Sequence, residues 1–279
     1  MSAVDAPRER ITVIRPSRGV SLRLGELWSY RELLYFLVWR DVKVRYKQTL
    51  LGVGWAVVQP VTMMVVFTLV FSRVADVPSD GQPYAVFVLS GLVVWNYFAV
   101  ALASGGGSLV ANANLVTKVY FPRVVAPLAA LLVPLVDLLI ALGVLAAVLA
   151  WYGVVPSGRL PLALPFLLLA LVASLGASLW LSALNVRYRD VRYALPFLVQ
   201  VWLYATPVVY PTGSVHGRWS WLLGLNPLSS AVTGFRWALL DTPAPDAGLL
   251  VASCAGTVLL AVGGLVYFSR VERRFADII

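Results

Sequence analysis

The sequence predicts an all-α integral membrane protein. It has six transmembrane helices, an N-terminal interfacial amphipathic helix, and re-entrant outer helices between spans five and six. Three observations predict this class. Of the 279 residues, 60% are hydrophobic and 13% charged, about half the charged share of a soluble domain, and the mean hydropathy is +0.83. Charged residues cut the chain into uncharged intervals at 48–72, 81–117, 124–158, 160–186, 193–217 and 247–269, with Asp137 the one charge inside any of them. Each interval exceeds the roughly 20 residues that carry a helix across a ~30 Å hydrocarbon core. Finally, the basic residues are asymmetric. With the N-terminus inside, six crossings put 18 of the 22 Lys/Arg on the inner side and leave Arg73, Arg159, Arg218 and Arg236 outside. Both termini are therefore expected in the cytoplasm.

Taken in order, residues 1–23 form a polar, basic segment, and with no apolar run in residues 1–25 a signal peptide is not expected. Residues 24–48 read as the interfacial helix. At 100° per residue, Trp28, Tyr35, Trp39 and Tyr46 fall within about 40° of one another, and Arg40, Lys43, Arg45 and Lys47 supply charges for lipid headgroups. A helix packed on a soluble partner is the alternative. Residues 49–279 are the six-helix domain. Its first span runs from Leu50 or Trp55 to Phe71, with a kink expected at Gln59-Pro60. Interval 81–117 is too long for one straight crossing, and Gly105-Gly106-Gly107 is expected to break or bend it. Span three carries Pro127, Pro134 and Asp137, and span four continues as a Leu/Ala helix to the inside loop Asn185–Arg192.

Span five, 193–210, is rich in aromatics. Residues 211–245 remain apolar outside it, and irregular backbone at membrane depth must be covered by protein or line a cavity. Two short helices broken at Asn226-Pro227 are therefore expected there, followed by span six.

Between spans two and three lies a polar stretch, Asn112 to Arg123, holding the only two charges, Lys118 and Arg123, between Asp80 and Asp137. Asn112 and Asn114 can bond their own backbone and start a short helix, and Pro122 ends it. Leu115, Val119 and Phe121 offer an apolar contact face. This stretch reads either as a point where a soluble partner delivers work or as a connector held inside by its charge.

Enzyme chemistry is not visible. No Gly-x-x-x-x-Gly-Lys-Ser/Thr occurs, so the phosphate-cradling loop of an ATPase is absent, and His216 stands alone. A single cysteine, Cys254, excludes an intrachain disulfide framework and a cysteine metal cluster. No catalytic, cofactor or metal residues are expected. The net charge of +9 belongs to the inner loops rather than to a nucleic-acid surface. Asp137 has no titratable partner within the spans and reads as a protonated or hydrogen-bonded packing carboxyl, with a transport role as the alternative.

Four stretches carry a family resemblance. Arg40-Asp41-Val42-Lys43-Val44-Arg45-Tyr46-Lys47 through Gly52, with Trp55 and Gln59-Pro60, resembles the start of the membrane subunits of bacterial ABC polysaccharide exporters. These are the O-antigen, capsule and teichoic-acid permeases of the ABC-2 class. Asn112–Arg123 is similar to their first cytoplasmic loop, Asn185–Arg192 to the second, and Leu225-Asn226-Pro227-Leu228 with Gly234-Phe235-Arg236 to their outer re-entrant segment.

The resemblance implies a homodimeric permease in the bacterial cytoplasmic membrane, paired with two soluble ABC ATPase subunits that carry the ATP and magnesium. The cargo would be a lipid-linked polysaccharide moving through a channel at the dimer interface. It implies coupling to the ATPase through Asn112, Asn114, Leu115, Lys118, Tyr120, Phe121, Pro122 and Arg123. An outer gate would form at Asn226, Pro227 and Arg236. Aromatic faces stack on sugar rings, which makes Trp95, Tyr97, Phe98, Phe197, Trp202 and Tyr204 candidate path residues, with interface belt or core packing as the other reading of each. An ABC-2 permease for a drug or lipid, and a membrane-embedded glycan-modifying enzyme, are the competing functions.

Overall fold

The computed structural model describes residues 24–47, 52, 54–188, 190–215, 220–272 and 275. The polar segment 1–23, His216 and Arg189 lie outside the described residues. Among the described residues all regular structure is helical.

Helices α1 (Leu24–Ser29) and α2 (Arg31–Lys47) precede α3 (Gly54–Phe67), which continues as a π-helical turn over Thr68–Val74. Pro60 lies inside α3. The turn that follows uses Asp76, Asp80 and Gly81 at positive φ (49°, 51° and 78°), a conformation that aspartate tolerates and glycine adopts freely. Next come α4 (Tyr84–Ala111), the short α5 (Ala113–Lys118), α6 (Val125–Leu132) and α7 (Pro134–Trp151). Pro134 opens α7 at the helix position where a missing N–H costs nothing, so span three is broken after Leu132. The chain then forms α8 (Ala163–Arg187), α9 (Val191–Ala205), α10 (Ser220–Leu225), α11 (Pro227–Leu240) and α12 (Ala247–Val271).

Among the described residues, five helical segments are long and apolar enough to cross a membrane: 54–74, 84–111, 125–151, 160–187 and 247–271. The expected span at 193–210 is instead a 15-residue helix, about 22 Å long, followed by non-helical chain. The reason is local. Thr206 precedes Pro207 and is forced out of the helical region, to φ −102° and ψ 138°. The two short helices at 211–245 are α10 and α11, separated at Asn226 as the Asn-Pro pair suggested.

Helix α4 is the axis of the molecule, with 83% of its apolar window buried against 11% for the first span and 17% for α12. It packs on α8, α6, α7, α11 and α3. The three glycines at 105–107 do not break it, since α4 runs without interruption from Tyr84 to Ala111. A Cβ at Gly105 would lie 2.6 Å from Ser178 Cβ, and one at Gly106 3.3 Å from Leu181 and Leu195, so these glycines admit α8 and α9 rather than break α4. Helices α8 and α12 meet backbone to backbone at Gly176 and Gly264, where a Cβ on Gly176 would lie 2.6 Å from Ala261 N. Asn185, expected in a loop, is buried in α8 and donates to Gly106 O at 3.0 Å. A second apolar cluster forms around α5, joining Leu37, Leu109, Val116, Phe121, Val125, Phe268 and Phe275.

Candidate functional site: the α5 loop, the α9–α11 connection and a cavity beside α2

The stretch from Asn112 to Arg123 turns two side chains inward and several outward. Val116 and Phe121 are buried in the second cluster, and Leu115 is half-buried. Asn114, Thr117, Lys118 and Val119 are exposed, and so is Tyr120, at 69% against 4% for Phe121. Phe121 is therefore an anchor and not part of the contact face expected of it. Asn112 stands at the start of α5, but its side chain does not cap that helix. Its Nδ2 donates back to Ser108 O at 2.9 Å, closing α4, while Oδ1 accepts from Arg40 Nη2 at 2.8 Å.

The helix ends at Lys118, before Pro122 can stop it, because Val119 adopts extended backbone. Beyond it, Arg123 N donates to Glu272 Oε1 at 3.0 Å and its guanidinium to the Glu272 carbonyl, which fastens the loop to the end of α12. Tyr30 reaches the Tyr120 carbonyl at 3.5 Å. Nothing local in the sequence signals Glu272 or Tyr30, since both partners are distant in the chain.

The six aromatic candidates separate into two groups. Trp95, Tyr97 and Phe98 are buried in the core of the single chain, where Phe98 meets the edge of half-buried Trp202 at 4.9 Å between ring centroids. Phe197 and Tyr204 are exposed on α9 and share a helical face with Tyr193 and Gln200, at spacings of three and four residues.

The connection between α9 and α11 shows how irregular backbone is satisfied. Residues 206–209 are buried without helical hydrogen bonding. Arg236, itself 2% exposed, donates from Nη1 to Pro207 O at 2.7 Å and from Nη2 to Val208 O, while Nε reaches Phe87 O at 3.0 Å. Tyr84 OH supplies Val209 O at 2.7 Å. The guanidinium lies 3.7 Å from the Phe87 ring centroid, and Gly91 leaves the room it occupies. Asn226 caps α11 by accepting from Leu228 N at 3.0 Å and also accepts Trp202 Nε1 at 3.0 Å. Its Nδ2 donates to Ala205 O at 3.1 Å and Thr206 Oγ1 at 2.9 Å. Pro227 occupies the first position of that helix. The three residues thus join the end of α9 to α11 and α4.

A cavity of about 110 Å³ lies between α2, α3, α4 and α7, with Arg45, Tyr46, Gln59, Asn96, Tyr97 and Asp137 among its lining. Asp137 is not without partners. Arg45 Nη2 lies 2.8 Å from Asp137 Oδ2, and the Tyr46 hydroxyl donates to Oδ1. Both come from α2, outside the spans, which is why a search within the spans missed them. Burial, and then the bond to Asp137, hold the Tyr46 phenol well above its ordinary pKa. Trp28 on α1 and Tyr35 and Trp39 on α2 stay exposed, with the last two stacked 6.4 Å apart, but Tyr46 turns inward from their stripe.

Residues 32–240 match the ABC-2 type transporter family. Among curated proteins, the chain is 31% identical over 254 residues to the O-antigen export system permease protein RfbA of Myxococcus xanthus, covering 90% of this chain and 97% of that one. It is 28% identical over 249 residues to a protein of the same description from Klebsiella pneumoniae, covering 89% and 95%. A second Klebsiella pneumoniae protein of that description is 28% identical over 264 residues, covering 94% and 100%. The matched region holds every element described above except α1 and α12. On these grounds the chain belongs to the ABC-2 type transporter family of multi-pass membrane proteins.

Proposed function

We propose that this chain is the permease subunit of an ATP-driven exporter that moves a lipid-linked polysaccharide, such as an O-antigen, across the bacterial cytoplasmic membrane. The observation that carries the reading is near end-to-end similarity to three O-antigen export permeases. The chain has no phosphate-cradling motif of its own, so hydrolysis falls to a separate ATPase subunit that carries the ATP and magnesium. Asn114, Lys118, Val119 and Tyr120 form its docking face, on a loop held rigidly enough by Phe121 and Arg123 to pass on a rigid-body displacement. Both termini face the cytoplasm in this reading, by the basic-residue asymmetry.

The packed interior argues for where cargo travels. With α4 packed on all sides at the centre, and a neighbouring cavity of about 110 Å³ far smaller than a hydrated glycan, the interior of one chain is a poor conduit. The path then runs between two copies, along surfaces such as the exposed aromatic face of α9. Phe197, Tyr204 and Tyr193 become the candidate path residues, and buried Trp95, Tyr97 and Phe98 shape the wall behind them. The test is co-reconstitution in lipid with the cognate ATPase. Lipid-linked glycan should change the rate of ATP hydrolysis, and Phe197→Ala with Tyr204→Ala should blunt that change. Hydrolysis indifferent to glycan but stimulated by a hydrophobic drug would overturn the cargo assignment.

A further inference from the structure

Helix α2 is unevenly held. Of its 17 residues only Leu37 is fully buried, while Tyr35, Phe36, Trp39 and Val44 are exposed. Its apolar anchors, Leu33, Leu34, Leu37 and Val38, lie in its first half against the second cluster, and from Arg40 on its ties are polar: Arg40 to Asn112 at the start of α5, then Arg45 and Tyr46 to Asp137 on α7. Adjacent helical residues point about 100° apart, so two of them reaching one carboxyl means that Asp137 sits between their directions. That carboxyl lines the cavity together with Arg45 and Tyr46, so the end of α2 forms part of the cavity wall. The contact to Arg45 is close, but Oδ2 has no well-aligned donor, so charge rather than a directed hydrogen bond holds that side. A carboxylate inside a membrane-length helical segment is retained only with a partner, and here the partner is borne by the polar end of a separate helix.

We infer that Asp137 is a positioning residue whose paired contacts to Arg45 and Tyr46 latch α2 against α7 as the movable wall of this cavity. Releasing the latch leaves the apolar contacts of Leu33, Leu34, Leu37 and Val38 in place, so it is the end of α2 from Arg40 to Lys47 whose position depends on the polar ties. Because Arg40 binds the residue that begins α5, a displacement of α5 reaches the latch through one rigid helix.

The test reads accessibility and does not depend on the cargo. In a C254S background, V100C places a thiol on the cavity wall and V88C places one in the closed core. A positively charged, membrane-impermeant thiol reagent is applied to the full chain in nanodiscs. D137N and, separately, R45Q should each raise the V100C labelling rate about tenfold, as a shift of the closed population by a decade requires. The charge swap R45D/D137R should return the rate to within about threefold of the parent, and V88C should stay unlabelled throughout. R45Q, at a half-exposed position outside the spans, decides the matter if D137N fails to insert. The inference is overturned if the single variants leave the rate unchanged. It is equally overturned if the swap labels as fast as they do, or if V88C opens in parallel with V100C.

Discussion

Tyr120 and Phe121 are chain neighbours with opposite surroundings, and replacing each with alanine separates docking from folding. The Phe121 ring is 4% exposed and packs in the cluster of Leu37, Val116, Val125, Phe268 and Phe275. Truncating a ring buried to that degree removes about 150–250 Å² of contact. At about 25 cal/mol per Å² this amounts to roughly 4–6 kcal/mol, in line with the about 3–5 kcal/mol typical of buried Phe→Ala changes. Tyr120, at 69% exposed, offers its side chain no comparable burial, so Y120A should stay within about 0.5 kcal/mol of the parent. The assay is thermal unfolding of the purified chain by tryptophan fluorescence, paired with ATP hydrolysis by the complex with its ATPase. F121A should lower Tm by roughly 6 °C or more. Y120A should leave Tm in place yet uncouple hydrolysis from glycan. Equal losses of Tm in the two variants, or a silent F121A, would refute the assignment of anchor and docking face.

Three further outcomes follow from the packing and the polar ties. G176A would put a Cβ 2.6 Å from Ala261 N, which forces α8 and α12 apart at a cost of about 1–3 kcal/mol. G143A, which meets nothing within 4 Å, should leave thermal stability in detergent unchanged. N226A should cost about 1–2 kcal/mol for the lost cap, and more for the donors and acceptors it strands; N226S, whose hydroxyl can still accept from Leu228 N, should lose less, as read by denaturant or thermal unfolding. Tyr46 titrates above its ordinary value of 10.0 in the folded chain, so the unfolded chain loses that proton first. Its contribution to stability is complete below about pH 10 and is lost as pH rises toward the folded value, and Y46F should flatten that alkaline decline.

Much of the fold was legible because lipid imposes a simple rule: a crossing helix carries little charge along its length. The five long helices obey it, none holding more than one charged residue and only Asp137 standing away from a segment end. The end of α9 was written in Thr206-Pro207, a pair that disfavours helix, but the uncharged interval around it suggested a longer crossing. Gly105–Gly107 misled in the opposite direction. A glycine run looks like a break when the chain is read alone, and only the approach of Ser178 and Leu181 shows that it serves packing. The α5 loop was found by its charge and its asparagines. Which of Tyr120 and Phe121 faces inward was not, since that depends on a cluster drawing on α2, α8 and α12. The partners of Asp137 were hidden for the same reason. Arg45 and Tyr46 lie about ninety residues away on a helix read as lying wholly along the interface.

The central claim is that this chain is moved by an ATPase it does not encode. Proteoliposomes carrying the chain with and without its ATPase partner, supplied with ATP and a lipid-linked glycan, measure it through glycan delivered to the opposite side of the bilayer. Delivery should require both proteins and hydrolysable ATP. Delivery by the chain alone, sustained by an ion gradient, would contradict the claim.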